Sequence, residues 1–219
     1  MSVLTVEQAI ARILEGVEPL GPESVPLATA GGRVLAAPLT ATLTQPPFDA
    51  SAMDGYAVRR GDVSSLPATL TVLGEAAAGS GYRGAVGPGE AVRIFTGAPI
   101  PNGADAIVIQ ENTSREGDRV TVTAGLPDPE HIRPRGGDFA EGEALLGPGS
   151  ILDARALTLA AAMGHPAVSV RRKPVVAILS TGDELVLPGT PPGPDQIVAS
   201  NAFGLAAMVA AFGAEPRIL

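Results

Sequence analysis

A chain of 219 residues with 45% hydrophobic side chains can form one large core or two smaller ones, and with only 3% aromatic residues that core must rely on Val, Leu, Ile and Ala. The formal net charge of −8 argues against a nucleic-acid partner, because binding phosphates needs a basic surface. The absence of cysteine excludes disulfides, thiolate metal sites and cysteine nucleophiles, and it fits a cytoplasmic location. No signal-peptide pattern occurs, and no apolar run approaches the roughly 20 residues of a membrane span, so we expect no membrane partner.

The first two thirds of the chain predict a helix followed by a β-rich block. Thr5 and Gln8 have the spacing of a capping box, and apolar residues then recur at helical spacing as far as Val17. Residues 25–38 predict a short strand and a turn. From about residue 40 to 138, short apolar or alternating runs are separated by Gly, Pro, Asn and Asp, which predicts an all-β module. Its clearest strands are predicted at residues 68–73, 91–95, 106–110 and 119–123.

The last third predicts a helix and then the opening of an α/β domain. Asp153 is predicted to cap the helix. Residues 174–179 (PVVAIL) are continuously apolar, which predicts a strand buried on both faces of a parallel sheet. A further helix is predicted to begin at Ser200 or Asn201. Because one strand and one helix cannot close an α/β core, we expect the next strand to begin near Leu219 and the native protein to continue.

A first candidate site lies in the loop at residues 46–58. Two prolines stiffen its entry, and Asp49, Ser51 and Asp54 then offer oxygens within six residues, before Gly55 permits a tight turn. The pattern is compatible with a ligand site and equally with a plain polar loop leading into a strand.

Two further candidates lie later in the β-rich block. Thr96 ends an apolar strand and is followed by a Gly/Pro loop, and such strand ends often display ligand groups, although an ordinary turn has the same composition. Residues 133–138 (RPRGGD) combine two arginines that could hold an anion with two glycines that permit close approach. The alternative is that these arginines pair with neighbouring acidic side chains.

A fourth candidate is the segment 180–185 (STGDEL), which follows the predicted strand 174–179. Ligands of open α/β sheets bind at the carboxyl ends of the strands. Hydroxyls and free amides suit phosphate there, while Asp183 and Glu184 suit a hydrated metal ion. Neither a dinucleotide fingerprint nor a Walker loop is present. His131 and His165 lack a second histidine at ligand spacing, so structural or exposed roles are favoured over metal binding.

Taken together, these stretches resemble the molybdopterin molybdenumtransferase family, the MoeA proteins and the gephyrin E domain. The resemblance rests on four motifs that occur in order over nearly the whole chain: PPFDASAMDGYAVR (46–59), IFTGAPIPNGADAIVIQE (94–111), IRPRGGDF (132–139) and LSTGDELVLPG (179–189).

The resemblance implies an α+β multidomain fold. Domain I is discontinuous α/β and comprises residues 1–42 and 140–172. Domain II is a β-rich insertion at residues 43–139. Residues 173–219 are the start of domain III, a three-layer α/β domain like that of MogA, which binds molybdopterin.

The resemblance also implies an activity. The family inserts molybdenum from molybdate into adenylylated molybdopterin with release of AMP, assisted by Mg²⁺, and it acts as a homodimer that could also contact the molybdopterin adenylyltransferase. The matching catalytic positions are Asp54, Asp138 and Glu184. The matching substrate-binding positions are Ser51, Thr96, Ser180, Thr181, Gly182, Asp183, Ser200 and Asn201. The ligands of the metal are left open.

Two alternatives to a transferase remain. A non-catalytic molybdopterin-binding or scaffolding member of the same family would share the motifs but tolerate loss of a carboxylate. An unrelated nucleotide-binding α/β protein with a β-rich insert would have to carry the motifs of residues 46–59 and 94–111 by accident. We do not expect residues 1–219 to be active alone.

Overall fold

The computed structural model describes residues 4–125 and 131–219, which form three α-helices and a larger number of short strands. The helices are α1 (Val6–Leu14), α2 (Ala154–Ala162) and α3 (Asn201–Ala211). None of the helices in the described ranges has the length and apolarity needed to cross a bilayer. The strands are β1 (Pro22–Pro26), β2 (Leu39–Thr40), β3 (Ala50–Ser51), β4 (Gly55–Val58), β5 (Ala68–Ala76), β6 (Glu90–Ile94), β7 (Ala106–Ile109), β8 (Thr113–Glu116), β9 (Arg119–Val122), β10 (Ile132–Arg133), β11 (Ala144–Leu146), β12 (Ala167–Arg171), β13 (Val175–Ile178), β14 (Leu185–Val186), β15 (Ile197–Val198) and β16 (Glu215–Ile218).

The chain divides into two compact units. The first comprises Met1–Leu39, Ala144–Ala161 and His165–Leu219, and the second comprises Thr40–Glu143 with Ala162–Gly164. Within the second unit the two ends of the β-rich block meet, because the Gln45 amide donates to the Phe139 carbonyl at 2.9 Å. This proximity is what an insertion requires. The predicted boundaries of domains I, II and III stay predictions.

A curled six-stranded sheet organises the second unit, with strand order β7-β4-β6-β5-β9-β8. Only the β5–β6 pairing is parallel. Because successive side chains of a strand point to opposite faces, Tyr56 and Val58 join one apolar core while Ala57 joins another. Val and Ala dominate both cores, as the scarcity of aromatic residues requires. The strand β4 therefore lies in the middle of the unit and is buried along its whole length.

The strong strand predictions in this block are confirmed. The runs at 68–73, 91–95, 106–110 and 119–123 coincide with β5, β6, β7 and β9 within one to three residues. β4, four residues long, is the strand that the plain-loop alternative for residues 46–58 allowed. β8, whose sequence TSRE is exposed and polar, had no specific prediction, and neither had the two-residue strands β3 and β10. β8 forms because it pairs with β9 in a hairpin.

In the first unit, β1 and β12 form an antiparallel pair. The short strand and turn predicted for residues 25–38 are confirmed in part, because β1 begins three residues earlier, at Pro22, and ends at Pro26, and a turn follows at residues 31–32. Proline is tolerated at the start of a strand that has only one neighbour. The predicted capping box is confirmed, since Thr5 Oγ1 accepts from the Gln8 amide at 3.3 Å and Gln8 Oε1 accepts from the Thr5 amide at 3.0 Å.

The α/β segment of the first unit is parallel, as predicted, but less buried than predicted. β13 pairs in parallel with β16, and α3 connects them. Of the four residues of β13, only Ile178 is buried, and Val175 is 53% exposed. Among the described residues the main contacts of β13 are with β16 and α3, and most of its side chains stay partly or largely exposed. The next strand also begins earlier than predicted, at Glu215 rather than near Leu219.

The predicted helix starts differ in how they are capped. Asp153 Oδ1 accepts from the Ala156 amide at 2.8 Å, so the predicted side-chain cap of α2 is confirmed. Ser200 precedes α3 as predicted, but no side-chain cap hydrogen bond forms there.

Candidate functional site

The second unit holds a carboxylate–hydroxyl pair that joins two of the sequence motifs. Asp54 Oδ1 accepts two hydrogen bonds from Thr96, from its backbone amide and from its hydroxyl, both at 2.9 Å. The two residues are 42 positions apart in sequence and meet because β4 and β6, which they flank, are adjacent strands. Among the described residues nothing donates to Oδ2. One carboxylate oxygen is therefore held in place while the other is open to a ligand.

Gly55 fixes where Asp54 stands. A Cβ at Gly55 would collide with the Val108 carbonyl oxygen and lie 2.9 Å from its carbon. Only glycine therefore allows the backbone to lie this close to β7. The Asp54 carbonyl also accepts from the Gln110 amide at 3.1 Å. The tight turn predicted for this glycine is in fact a close approach between two strands.

The electrostatics at Asp54 favour the ionised form. The pKa of Asp54 is lowered from its ordinary value, first by the Thr96 amide, then by the Thr96 hydroxyl, and also by the positive charge of Arg93. Partial desolvation opposes these effects without cancelling them. Asp54 is therefore a carboxylate throughout the neutral pH range.

Ser51, another predicted substrate-binding residue, belongs to the same loop, but its side chain is buried. It is 1% exposed, and its hydroxyl donates to the Met53 carbonyl at 2.6 Å. Its own carbonyl accepts from the Gly97 amide at 2.8 Å, so it ties the residue after Thr96 to the loop. In this conformation Ser51 shapes the turn. Its predicted contact with substrate stays a prediction.

The arginine-rich motif surrounds the same loop. The Arg133 Nη2 atom donates to both oxygens of Asp138, at 2.8 and 3.0 Å, and both side chains are exposed. Arg135 makes a different connection, because its backbone amide donates to Asp49 Oδ1 at 2.7 Å and its Nε donates to the Pro47 carbonyl at 3.1 Å. One arginine thus pairs with an acidic neighbour, the alternative noted from sequence. The terminal nitrogens of Arg135 have no acceptor within the described residues.

The first unit brings several predicted residues together around the end of β13. A pocket of about 200 Å³ is bordered by Ser180 and Gly182 and has a mainly apolar lining. A neighbouring groove of about 230 Å³ is bordered by Ser180, Ser200 and Asn201. Ser180 borders both cavities. Ser180, Ser200 and Asn201, which are predicted to bind substrate, therefore share one groove, whereas Thr181 lines neither cavity.

The acidic residues of this loop are exposed and do not line either pocket. The Glu184 carboxylate lies against Gly182, where a Cβ would collide with it, and Gly182 has a φ of +149°. Asp183 and Glu184 have no ion-pair partner among the described residues. No group of three His, Asp or Glu side chains suited to a metal ion occurs within residues 4–125 and 131–219.

Two residues of the Asp54 site were missed from sequence. Arg93 donates to the Gly55 carbonyl at 2.8 Å and to Gln110 Oε1 at 2.7 Å. The available signal was a charged residue inside the apolar run AVRIF, where an unpaired cation would be costly. Gln110 carried a weaker signal, a polar residue that ends the run AIVIQ.

Comparison with known proteins shows where these motifs occur together. The family described as "MoeA N-terminal region (domain I and II)" matches residues 4–164. A relative from Nostoc sp., named molybdopterin molybdenumtransferase, is 44% identical over 198 residues, covering 89% of this chain and 45% of the relative. The Mycobacterium tuberculosis protein named molybdopterin molybdenumtransferase 2 is 41% identical over 217 residues, covering 97% of this chain and 53% of the relative.

Solved structures give the same picture. The crystal structure of the molybdopterin biosynthesis moeA protein from Pyrococcus horikoshii OT3 superposes with a TM-score of 0.89 at 34% identity, over 99% of this chain and 59% of that one. The chain spans about half the length of the curated relatives it matches.

Proposed function

Because the chain belongs to the family of the MoeA N-terminal region, we propose that the protein is a molybdopterin molybdenumtransferase of molybdenum cofactor biosynthesis. In this proposal its substrates are adenylylated molybdopterin and molybdate, and its products are the molybdenum cofactor and AMP. Support comes from relatives of that name at 41% and 44% identity. The proposal concerns the protein at its native length.

The observation that carries the proposal is the Asp54–Thr96 pair. Release of AMP requires water to add to a phosphorus of the pyrophosphate and the bridging P–O bond to break, with the proton of the water leaving. A carboxylate whose Oδ1 is fixed by two hydrogen bonds and whose Oδ2 is open can orient such a water or a cation. In the first unit, hydroxyl and amide groups suited to the pterin and its phosphates are provided by Ser180, Thr181, Ser200 and Asn201.

The charge state of Asp54 favours one role over another. A general base works best when its pKa lies near the working pH, and the pKa of Asp54 is shifted away from neutrality. We therefore assign Asp54 to holding and orienting the water or cation rather than to abstracting a proton, and we propose Asp138 as the carboxylate that takes up the proton of the water.

The donor set of the STGDEL loop fits Mg²⁺. This ion usually takes one or two carboxylates and completes its shell with water and substrate phosphate, and Asp183 and Glu184 are consecutive, exposed and unpaired among the described residues. We propose these two as the residues that hold it. Bound there, the ion offsets the negative charge of the pyrophosphate.

Assembly and location complete the proposal. We infer a cytoplasmic homodimer with the domain I, II and III arrangement given by the family resemblance, and the adenylyltransferase that supplies the substrate as a transient partner. Light scattering of the native-length protein at micromolar concentration tests the dimer. A purely monomeric profile would contradict it.

The test of the function is molybdate-dependent conversion of adenylylated molybdopterin by the native-length protein. Asp54→Asn and Glu184→Gln should each lower the rate by about a hundredfold or more, since they remove a charge used on the substrate. The matched control is Asp118→Asn, an exposed aspartate in the β8–β9 turn, which should leave the rate unchanged. Melting temperatures verify folding. If both amide variants stay active, Asp54 and Glu184 leave the catalytic set. If the unsubstituted protein shows no conversion, the non-catalytic binding or scaffolding alternative becomes the better account.

A further inference from the structure

Arg93 forms hydrogen bonds and cation–π contacts with residues that adjoin Asp54 or Thr96. Its guanidinium donates through Nη1 to the Gly55 carbonyl at 2.8 Å and through Nη2 to Gln110 Oε1 at 2.7 Å. Its Cζ lies over two aromatic rings, 4.6 Å from the Phe95 centroid and 5.3 Å from the Tyr56 centroid. Lysine cannot reproduce a planar fork that donates from both ends while its cation lies over two rings.

The groups that Arg93 holds adjoin Asp54. The Gly55 carbonyl belongs to the next residue, and the Gln110 backbone amide donates to the carbonyl of Asp54 itself at 3.1 Å. Gly55 is also pressed against β7, so it cannot shift toward Val108. The backbone that follows Asp54 is therefore restrained by the same guanidinium, directly at Gly55 and indirectly through Gln110.

Arg93 is also connected to Thr96 through β6. It lies three residues before Thr96 on the chain, opposite Tyr56 in the β4–β6 register. Phe95, which stacks on the guanidinium, immediately precedes Thr96. The donor and the acceptor of the Asp54–Thr96 bonds are thus both neighbours of groups that Arg93 contacts.

We propose that Arg93 is a positioning residue for Asp54, which sets the carboxylate against Thr96 by bracing Gly55, Gln110 and Phe95. Among the described residues Arg93 forms no hydrogen bond with the Asp54 carboxylate, so it acts through the residues that adjoin Asp54. In addition, Arg93 is the only charged side chain among the described residues whose charge contributes to the lowered pKa of Asp54. The consequence for turnover rests on the proposed function, whereas the consequence for the Asp54 carboxyl does not.

The experiment therefore has two readouts. The first is an NMR titration of the Asp54 side-chain carboxyl carbon, together with hydrogen exchange of the Thr96 amide. Arg93→Gln should raise the pKa of Asp54 toward its ordinary value and speed exchange of the Thr96 amide. Arg93→Lys keeps the charge and loses the fork, so it should speed amide exchange with a smaller change in pKa. The matched control is Arg119→Gln, an exposed arginine on β9 of the same sheet, which should change neither.

The second readout is turnover by the native-length protein. Arg93→Gln should lower kcat by about tenfold to a hundredfold, the scale of a small misplacement of a reacting group, and should shift the acid limb of the pH profile upward. A folded Arg93→Gln variant with unchanged Asp54 titration and Thr96 exchange would overturn the inference. If Arg93→Gln does not fold, Arg93→Lys decides by amide exchange alone. If Asp54→Asn turns out to be fully active, Asp54 leaves the catalytic set and the expected effect on turnover is lost, yet the titration still tests the positioning role. If the unsubstituted protein shows no turnover, the proposed function fails independently of the titration.

Discussion

Replacing Gly55 by alanine tests whether the close approach of β4 to β7 holds the candidate site together. The added Cβ would collide with the Val108 carbonyl oxygen and would lie 2.9 Å from its carbon and 3.0 Å from Ile109 Cα. All three contacts are with backbone, so no flexible side chain can yield. Relief requires β4 to move away from β7, with which it pairs along all four of its residues.

The cost follows from these contacts. Overpacking a tight interior costs about 1–3 kcal/mol, and each ladder hydrogen bond weakened by the shift adds about 1 kcal/mol. We therefore expect Gly55→Ala to lower the free energy of unfolding by about 3 kcal/mol. For a protein of about 200 residues this corresponds to a fall in Tm of about 6–12 °C.

The assay is thermal unfolding followed by circular dichroism, and the matched control is Gly61→Ala in the same unit. A Cβ at Gly61 meets nothing within 4 Å, so its Tm should stay within about 2 °C of wild type. The same Gly55 variant should also weaken the Asp54–Thr96 contact, seen as faster exchange of the Thr96 amide. A Tm for Gly55→Ala equal to that of Gly61→Ala would refute the reasoning.

Three further outcomes follow. Thr96→Ala removes one hydrogen bond to Asp54 and should raise its pKa. Because that pKa is lowered in the folded protein, the stabilisation is present above the ordinary aspartate pKa and lost as pH falls through the folded one, so the stability difference between Thr96→Ala and wild type in urea titrations should shrink at acid pH. Asp153→Ala removes the cap bonded to Ala156 and should cost about 1 kcal/mol in urea unfolding, most of it retained in Asp153→Ser. Asp138→Asn, which breaks an exposed ion pair, should change stability by less than about 1 kcal/mol at any salt concentration.

Some residues of the candidate site could be predicted from the sequence and others could not. Asp54, Thr96 and Glu184 stand at strand ends beside glycines or prolines, so their surroundings were legible from local sequence and from the family motifs. Arg93 and Gln110 were not found, because their contacts join strands that are far apart in the chain. The pairing of Arg133 with Asp138, five residues away, was among the alternatives that sequence reasoning could name.

The sequence by itself determined the local elements of this protein. Capping at Thr5 and Asp153 and the apolar runs of β5, β6, β7 and β9 follow from hydrogen bonding and side-chain spacing within a few residues. Only the tertiary structure decided that β4 lies between β7 and β6 in its sheet, that β8 is a strand, and that β13 stays largely exposed. The physical reason is that strand order and burial depend on which distant segments supply hydrogen bonds and cover, and these partners leave no local trace in the residues they contact.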